Sequence, residues 1–232
     1  MMHLSRIAFA GALVAISGAC ASMQKAKPVD LTSPKSAATA YVKAIQAGDA
    51  PTARAAATGT GQEMDWIDGW AGFARATRDL NNAIYTRFGK VTHQIHAELE
   101  KTLWEQFDRP AAQIDDADVQ AAENEARITI VHGTVASRDA TPLLLKKVNG
   151  LWKIDLERTY LPDPPRNQLL VMTAGQRAQY KAKMIKEVSD AFHLLQKESN
   201  VMEGLAGDVK AGRFKTMDAV LKALNERASA VR

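Results

Sequence analysis

Pro142-Leu143-Leu144-Leu145-Lys146-Lys147-Val148-Asn149-Gly150-Leu151-Trp152-Lys153-Ile154-Asp155 is the stretch that decides how this chain folds. Asn149-Gly150 suits a two-residue type I′ turn, because both central positions need positive φ. That turn fixes a register with Val148 opposite Leu151, Lys147 opposite Trp152 and Leu145 opposite Ile154. Strands are predicted over Thr141 to Val148 and Leu151 to Thr159, with Leu143, Leu145, Trp152, Ile154 and Leu156 on one apolar face. On the other face Lys146 stands opposite Lys153, a repulsion that Asp155, diagonally across, relieves.

Just upstream the period is again two. Ala126, Ile128 and Ile130 alternate with Arg127, Thr129 and Val131, which predicts a third strand with one face inward and Gly133 bending or ending it. Strict alternation puts His132 on the inward face, with Tyr41 or Tyr160 as neighbours. The competing reading of His132 is a strand-end histidine satisfied by backbone groups or water.

Further upstream the period becomes helical. Thr32 or Ser33 caps a helix with Pro34 in its first turn, and Ala37, Tyr41, Ala44 and Ile45 share a face before Gly48 ends it. Asp49-Ala50-Pro51 starts a short Ala-rich helix to about Ala57, and Thr58-Gly59-Thr60-Gly61 breaks the chain again. From Glu63 to about Phe107 helix returns, with Trp66, Trp70, Phe73, Leu80, Ile84 and Phe88 along one stripe and Gly89 as an interruption. Trp66, Trp70, Phe73 and Trp152, together with His132, are candidates for lining a ligand cavity. Aromatics at helical spacing also make plain core.

Downstream, Pro162, Pro164 and Pro165 close the sheet region, and helix follows to the end of the chain. Met184, Val188, Ala191, Phe192 and Leu195 form one amphipathic stripe; Met217, Val220, Leu221, Leu224 and Ala228 form another after Gly212. Each stripe needs a partner surface, on the main domain or on another protein.

Two motifs now stand together: Ser33-Pro34 with Ala37, Ala38, Tyr41, Ala44, Ile45, Gly48 and Asp49, and the hairpin Pro142 to Asp155 with its Asn149-Gly150-Leu151-Trp152-Lys153. In this combination residues 33 to 160 resemble the nuclear transport factor 2-like superfamily, in its bacterial envelope branch. The resemblance implies a long N-terminal helix wrapped by a curved antiparallel sheet into a cone. The expected fold is therefore α+β, with N-terminal helices on that sheet and a C-terminal helical extension. The helical stretch from Glu63 to Phe107 and the helices after Pro165 depart from the minimal domain. Such a cone hosts isomerases, dehydratases and cyclases as well as binding proteins, so the fold does not choose the function.

The N-terminus supplies an address. Arg6 precedes the apolar run from Ile7 to Ile16, which ends at Ser17-Gly18-Ala19-Cys20-Ala21-Ser22, the layout of an export signal. Two processing routes stay open. Ala19-Cys20-Ala21 suits an ordinary signal peptidase that releases Ser22, whereas Cys20 preceded by Ala19 resembles a lipobox whose cysteine becomes acylated, although Ser17 stands where such motifs usually carry Leu. Cys20 is the single cysteine of the chain, so no internal disulfide forms, and acylation would explain an unpaired thiol in an exported protein. The expected organisation is an export signal over 1–21, a tether over 22–31, the α+β domain over 32–161 and the helical extension over 166–232.

Composition is that of a globular protein, 46% apolar and 24% charged, and about 210 residues after the signal suffice for a core. No second stretch approaches the roughly 20 apolar residues of a membrane span. The net charge of +4 divides unevenly: residues 166–232 hold twelve Lys and Arg against seven Asp and Glu, and residues 98–125 hold two against nine. These are solvated helix faces and an acidic loop, or a basic surface for anionic envelope polymers or lipid headgroups. Nucleic acid is an unexpected partner in that compartment.

Catalytic patterns are sparse. His93, His96 and Glu100 share a helical face with Zn²⁺-compatible side chains, but without the His-Glu-x-x-His pattern a solvated face is the better reading, and no metal or other cofactor is expected. The glycines at 59, 61, 69 and 72 match no phosphate loop, and no nucleophile elbow occurs. The expectation is a non-enzymatic envelope protein that binds a protein partner or a small apolar ligand, held to the membrane if Cys20 is acylated. The alternative is an isomerase- or hydratase-like enzyme using His132 and a tyrosine. Oligomeric state is not legible.

Overall fold

A computed structural model of the chain describes residues 28–89, 114, 119–129, 142–161, 164 and 171–231. The export signal with Cys20, the pair His93 and His96 with Glu100, the strand residue Ile130, His132, and prolines 162 and 165 lie outside the described residues.

The Asn149-Gly150 turn forms with φ of 50° and 81°. It joins β4 (Pro142–Val148) to β5 (Leu151–Asp155) in the predicted register, Val148 with Leu151, Lys147 with Trp152 and Leu145 with Ile154. β3 (Glu125–Thr129) pairs antiparallel with β4, and β2 (Val119–Ala121) pairs antiparallel with β3. Ala126, Ile128, Leu143, Leu145, Trp152 and Ile154 make the buried face. On the other face Lys146 Nζ reaches Asp155 Oδ2 at 3.0 Å, which offsets the repulsion from Lys153 as the sequence implied.

Three features depart from the sequence reading. The sheet is mixed rather than wholly antiparallel: β1 (Ala57–Thr58) joins β5 in parallel, giving the order β1-β5-β4-β3-β2 in an open sheet. A two-residue strand has too few residues to show a period. Second, β5 stops at Asp155, whose carboxylate accepts from Arg158 N–H at 3.4 Å and caps a short helix, Leu156–Tyr160. Leu156 is buried from that helix and not from a strand. Third, Leu31, at the end of the stretch read as tether, is buried and its carbonyl accepts from Trp152 N–H at 2.9 Å. With Ile154 N–H bonded to Ala56 O at 2.9 Å, Leu31 and Ala56 satisfy amides along the outer edge of β5, where an uncovered strand would invite pairing with another chain.

The helices follow their caps. α1 (Pro34–Gln46) opens with a reciprocal Ser33–Ser36 capping box and with Pro34 in its first turn. Gly48, at φ 66°, turns the chain where a Cβ would come within 2.8 Å of Arg75 Cβ, and Asp49 caps α2 (Ala50–Ala55). The Gly-Asp pair is thus both a left-handed turn and a close approach to the next helix. α3 (Gly61–Phe88) opens on a Thr60–Glu63 capping box and ends at Gly89, φ 73°. The helix after β5 is α4 (Leu156–Tyr160). α5 (Ala174–Lys210) and α6 (Met217–Ser229) form the C-terminal part, each capped by a threonine.

α1 lies against β3, β5 and α3. α3 in turn lies against α5, and the two run in the same direction: Trp66 meets Ser189, Gly69 meets Phe192, Thr77 meets Met202 and Gly212 meets Arg87. Phe192, Leu195, Met202, Leu205 and Val209 are buried along α5. At about 1.5–3 kcal/mol per fully buried side chain, an upper range, this seam is a major part of the core. The α5 to α6 corner is clamped by Asp208, which accepts from Arg213 at 2.6 Å and Arg227 at 2.7 Å. The fold is therefore α+β with a helical C-terminal part docked on α3. Among the described residues no helix is long and apolar enough to cross a membrane.

Candidate functional site

Four rings from three helices meet where α3, α4 and α5 converge. Phe192 stacks on Trp66, centroids 5.8 Å apart and planes within 9°. It meets Trp70 edge-on at 5.6 Å and Tyr160 edge-on at 5.9 Å, and Tyr160 also meets Trp66 edge-on at 6.0 Å. Stacked and edge-to-face contacts are the arrangements that ring quadrupoles favour. α1 adds the last member, Tyr41, whose hydroxyl lies 2.8 Å from the Tyr160 hydroxyl.

Burial pushes both phenols well above their ordinary value of 10.0, and for Tyr41 the proximity of Tyr160 adds to the rise. Both therefore stay neutral at physiological pH. Tyr41 and Phe73 keep at most 2% exposure and Trp66 1%. Among the described residues these rings are packed together in the core.

Of the predicted cavity residues, Trp66 and Trp70 come together in the cluster and Phe73 is buried on the same helix. Trp152 sits at the hairpin end, under Lys147 Nζ at 5.6 Å from the ring centroid. His132 lies outside the described residues. No group of three His, Cys, Asp or Glu side chains among the described residues is placed to hold a metal ion.

Two surface depressions accompany this interior. A groove of about 670 Å³ follows α1, with Val29, Ala40, Ala44 and Ala47 as apolar lining and Lys35 and Lys43 at its rim. A cleft of about 260 Å³ lies between α3 and α5, bordered by Trp66, Gly69 and Phe192. At its floor Trp66 Nε1 and Gln62 Nε2 both donate to Ser189 Oγ, at 3.1 and 3.0 Å. Its rim carries Asp65, Asp68, His193 and Gln196. Arg54 reaches both carboxylates, through Nε to Asp68 Oδ1 at 2.9 Å and through Nη2 to Asp65 at 3.3 Å.

Sequence reasoning missed this cleft. Its one visible trace was Ser189, a small polar residue three positions before Phe192 on an otherwise apolar stripe. Its partners Gln62 and Trp66 are more than 120 positions away, beyond what periodicity reports.

No protein-family model, curated protein or solved structure matches this chain.

Proposed function

We propose that this is a non-catalytic, exported envelope protein, held to the membrane through acylated Cys20, whose helix-covered α+β domain makes contacts at its surface. The observation that carries the non-catalytic part is the close packing of the aromatic interior among the described residues. A cone-type enzyme keeps an open apolar chamber with titratable groups converging on the substrate. Here Trp66, Phe73 and Tyr41 are closed off, Phe192 of α5 occupies the space between Trp66, Trp70 and Tyr160, and the tyrosine hydroxyls bond each other. The same packing weighs against a small apolar ligand and for a partner met at the surface. A nuclear transport factor 2-like, cone-shaped arrangement is part of this proposal; α1 lying across the sheet and the hairpin register support it.

An apolar dye that fluoresces only when buried tests the interior. Added to the chain lacking residues 1–21, it is expected to give no saturable signal. Saturable binding of the dye would instead favour the chambered enzyme. For the anchor, labelled fatty acid is expected in the wild-type protein and absent from Cys20→Ala; a mature protein beginning at Ser22 would overturn acylation.

A further inference from the structure

The cleft between α3 and α5 has a donor and acceptor pattern that selects one class of ligand. Ser189 is 8% exposed and accepts two hydrogen bonds, from Trp66 Nε1 and Gln62 Nε2. A hydroxyl holds two acceptor sites and one proton, so with the Gln62 carboxamide turned to present Nε2 the acceptor capacity of Ser189 is used and its proton remains. In helices that proton commonly goes to the carbonyl four residues back, as Ser199 Oγ does to Leu195 O at 2.7 Å. Ser189 has no such acceptor among the described residues. A buried donor left unmet is destabilising, so the floor favours a ligand oxygen that accepts.

The rim asks for the opposite. Asp65 and Asp68 are acceptors, and the single Arg54 between them leaves one negative charge uncompensated. An anion would satisfy Ser189 and be repelled by these carboxylates; a cation would be drawn to the carboxylates and leave the Ser189 proton unmet. A neutral hydroxyl does both, accepting from one group and donating to another. Gln196 and His193, both exposed, add a carboxamide and an imidazole able to meet further hydroxyls. At roughly 30 Å³ per water, 260 Å³ has room for one sugar ring.

We propose that this cleft binds a single pyranose unit of a neutral glycan. The assignment deepens the surface-contact reading above, and it depends on export only for which glycans the protein would meet.

The test is calorimetric titration of the purified full chain with glucose and with N-acetylglucosamine, with inorganic phosphate and ethylamine as charged probes. Saturable binding of a sugar is expected at millimolar affinity, with neither charged probe binding more tightly. His193→Ala combined with Gln196→Ala removes two exposed side chains that support no core contact, and is expected to weaken sugar binding by about tenfold while leaving the thermal midpoint unchanged. The proposal is overturned if neither sugar binds saturably, if phosphate or ethylamine binds more tightly, or if the double variant binds as the wild type does. These results leave the dye and acylation tests untouched, so failure here and failure of the envelope reading remain distinguishable.

Discussion

Trp152 stands where three constraints meet. Its amide bonds the Leu31 carbonyl, its ring is buried on the sheet face with Leu143 and Leu145, and Lys147 covers it. Trp152→Ala therefore removes a large core aromatic and is expected to cost about 3–5 kcal/mol. An unchanged urea midpoint would place the ring outside the core. The Tyr41–Tyr160 pair makes a different prediction, because burial raises both phenols above the ordinary value of 10.0. Above that pH the unfolded chain releases both protons while the folded chain retains them. Stability contributed by keeping the phenols neutral is thus complete below pH 10 and is lost progressively as pH rises toward the folded values. Tyr41→Phe combined with Tyr160→Phe should flatten the alkaline fall in stability, and an alkaline profile identical to wild type would show that the pair does not govern it. Replacing both partners together avoids leaving one hydroxyl buried without its bond.

The seam between α3 and α5 can be tested through two glycines on one helix. A Cβ at Gly69 would lie 3.0 Å from Phe192 Cδ1, whereas one at Gly72 meets nothing within 4 Å. Replacing a mid-helix glycine by alanine otherwise gains about 1 kcal/mol. Gly72→Ala should accordingly stabilise the protein by roughly that amount, and Gly69→Ala should gain nothing or lose stability as the aromatic stack is displaced. Equal gains in thermal midpoint at both sites would mean that α5 does not approach α3 as closely as described. Elements with strong local signals were legible in advance: α1 from Ser33-Pro34 and Gly48, α3 from its aromatic stripe and Gly89, and the hairpin down to its register. α4 was not, because Leu151 to Thr159 alternates as a strand does while Asp155 with Arg158 forms a cap; both patterns occupy the same residues, and tertiary contact decides. The Tyr160 ring packs against the core through that unforeseen turn.

At the scale of the whole molecule, the parallel course of α3 and α5 has a topological consequence. Two helices running in the same direction cannot be joined by a short loop; four of the five strands, β2 to β5, lie between them in sequence, and their seam is a contact of long sequence separation. Such contacts form late and give nothing back until the loop closes. The need for a partner surface was readable from the C-terminal stripes, since apolar faces of that size do not stay exposed. Which surface they cover was not, because no local pattern encodes a pairing across more than 120 residues. The seam contributes Phe192, Leu195, Met202, Leu205 and Val209 from one side and covers Trp66 and Trp70 on the other. A chain ending at Pro165 exposes that second set along two turns of α3 and removes the acceptor of the Trp66 indole, Ser189 Oγ. It is expected to aggregate, or to unfold at a markedly lower urea midpoint than the full chain. Adding residues 166–232 back as a separate polypeptide should restore solubility in part, because the same faces remain complementary without the covalent link. A truncated protein as soluble and as stable as the full chain would mean that the aromatic face of α3 closes without α5, and that the C-terminal helices are held for another partner.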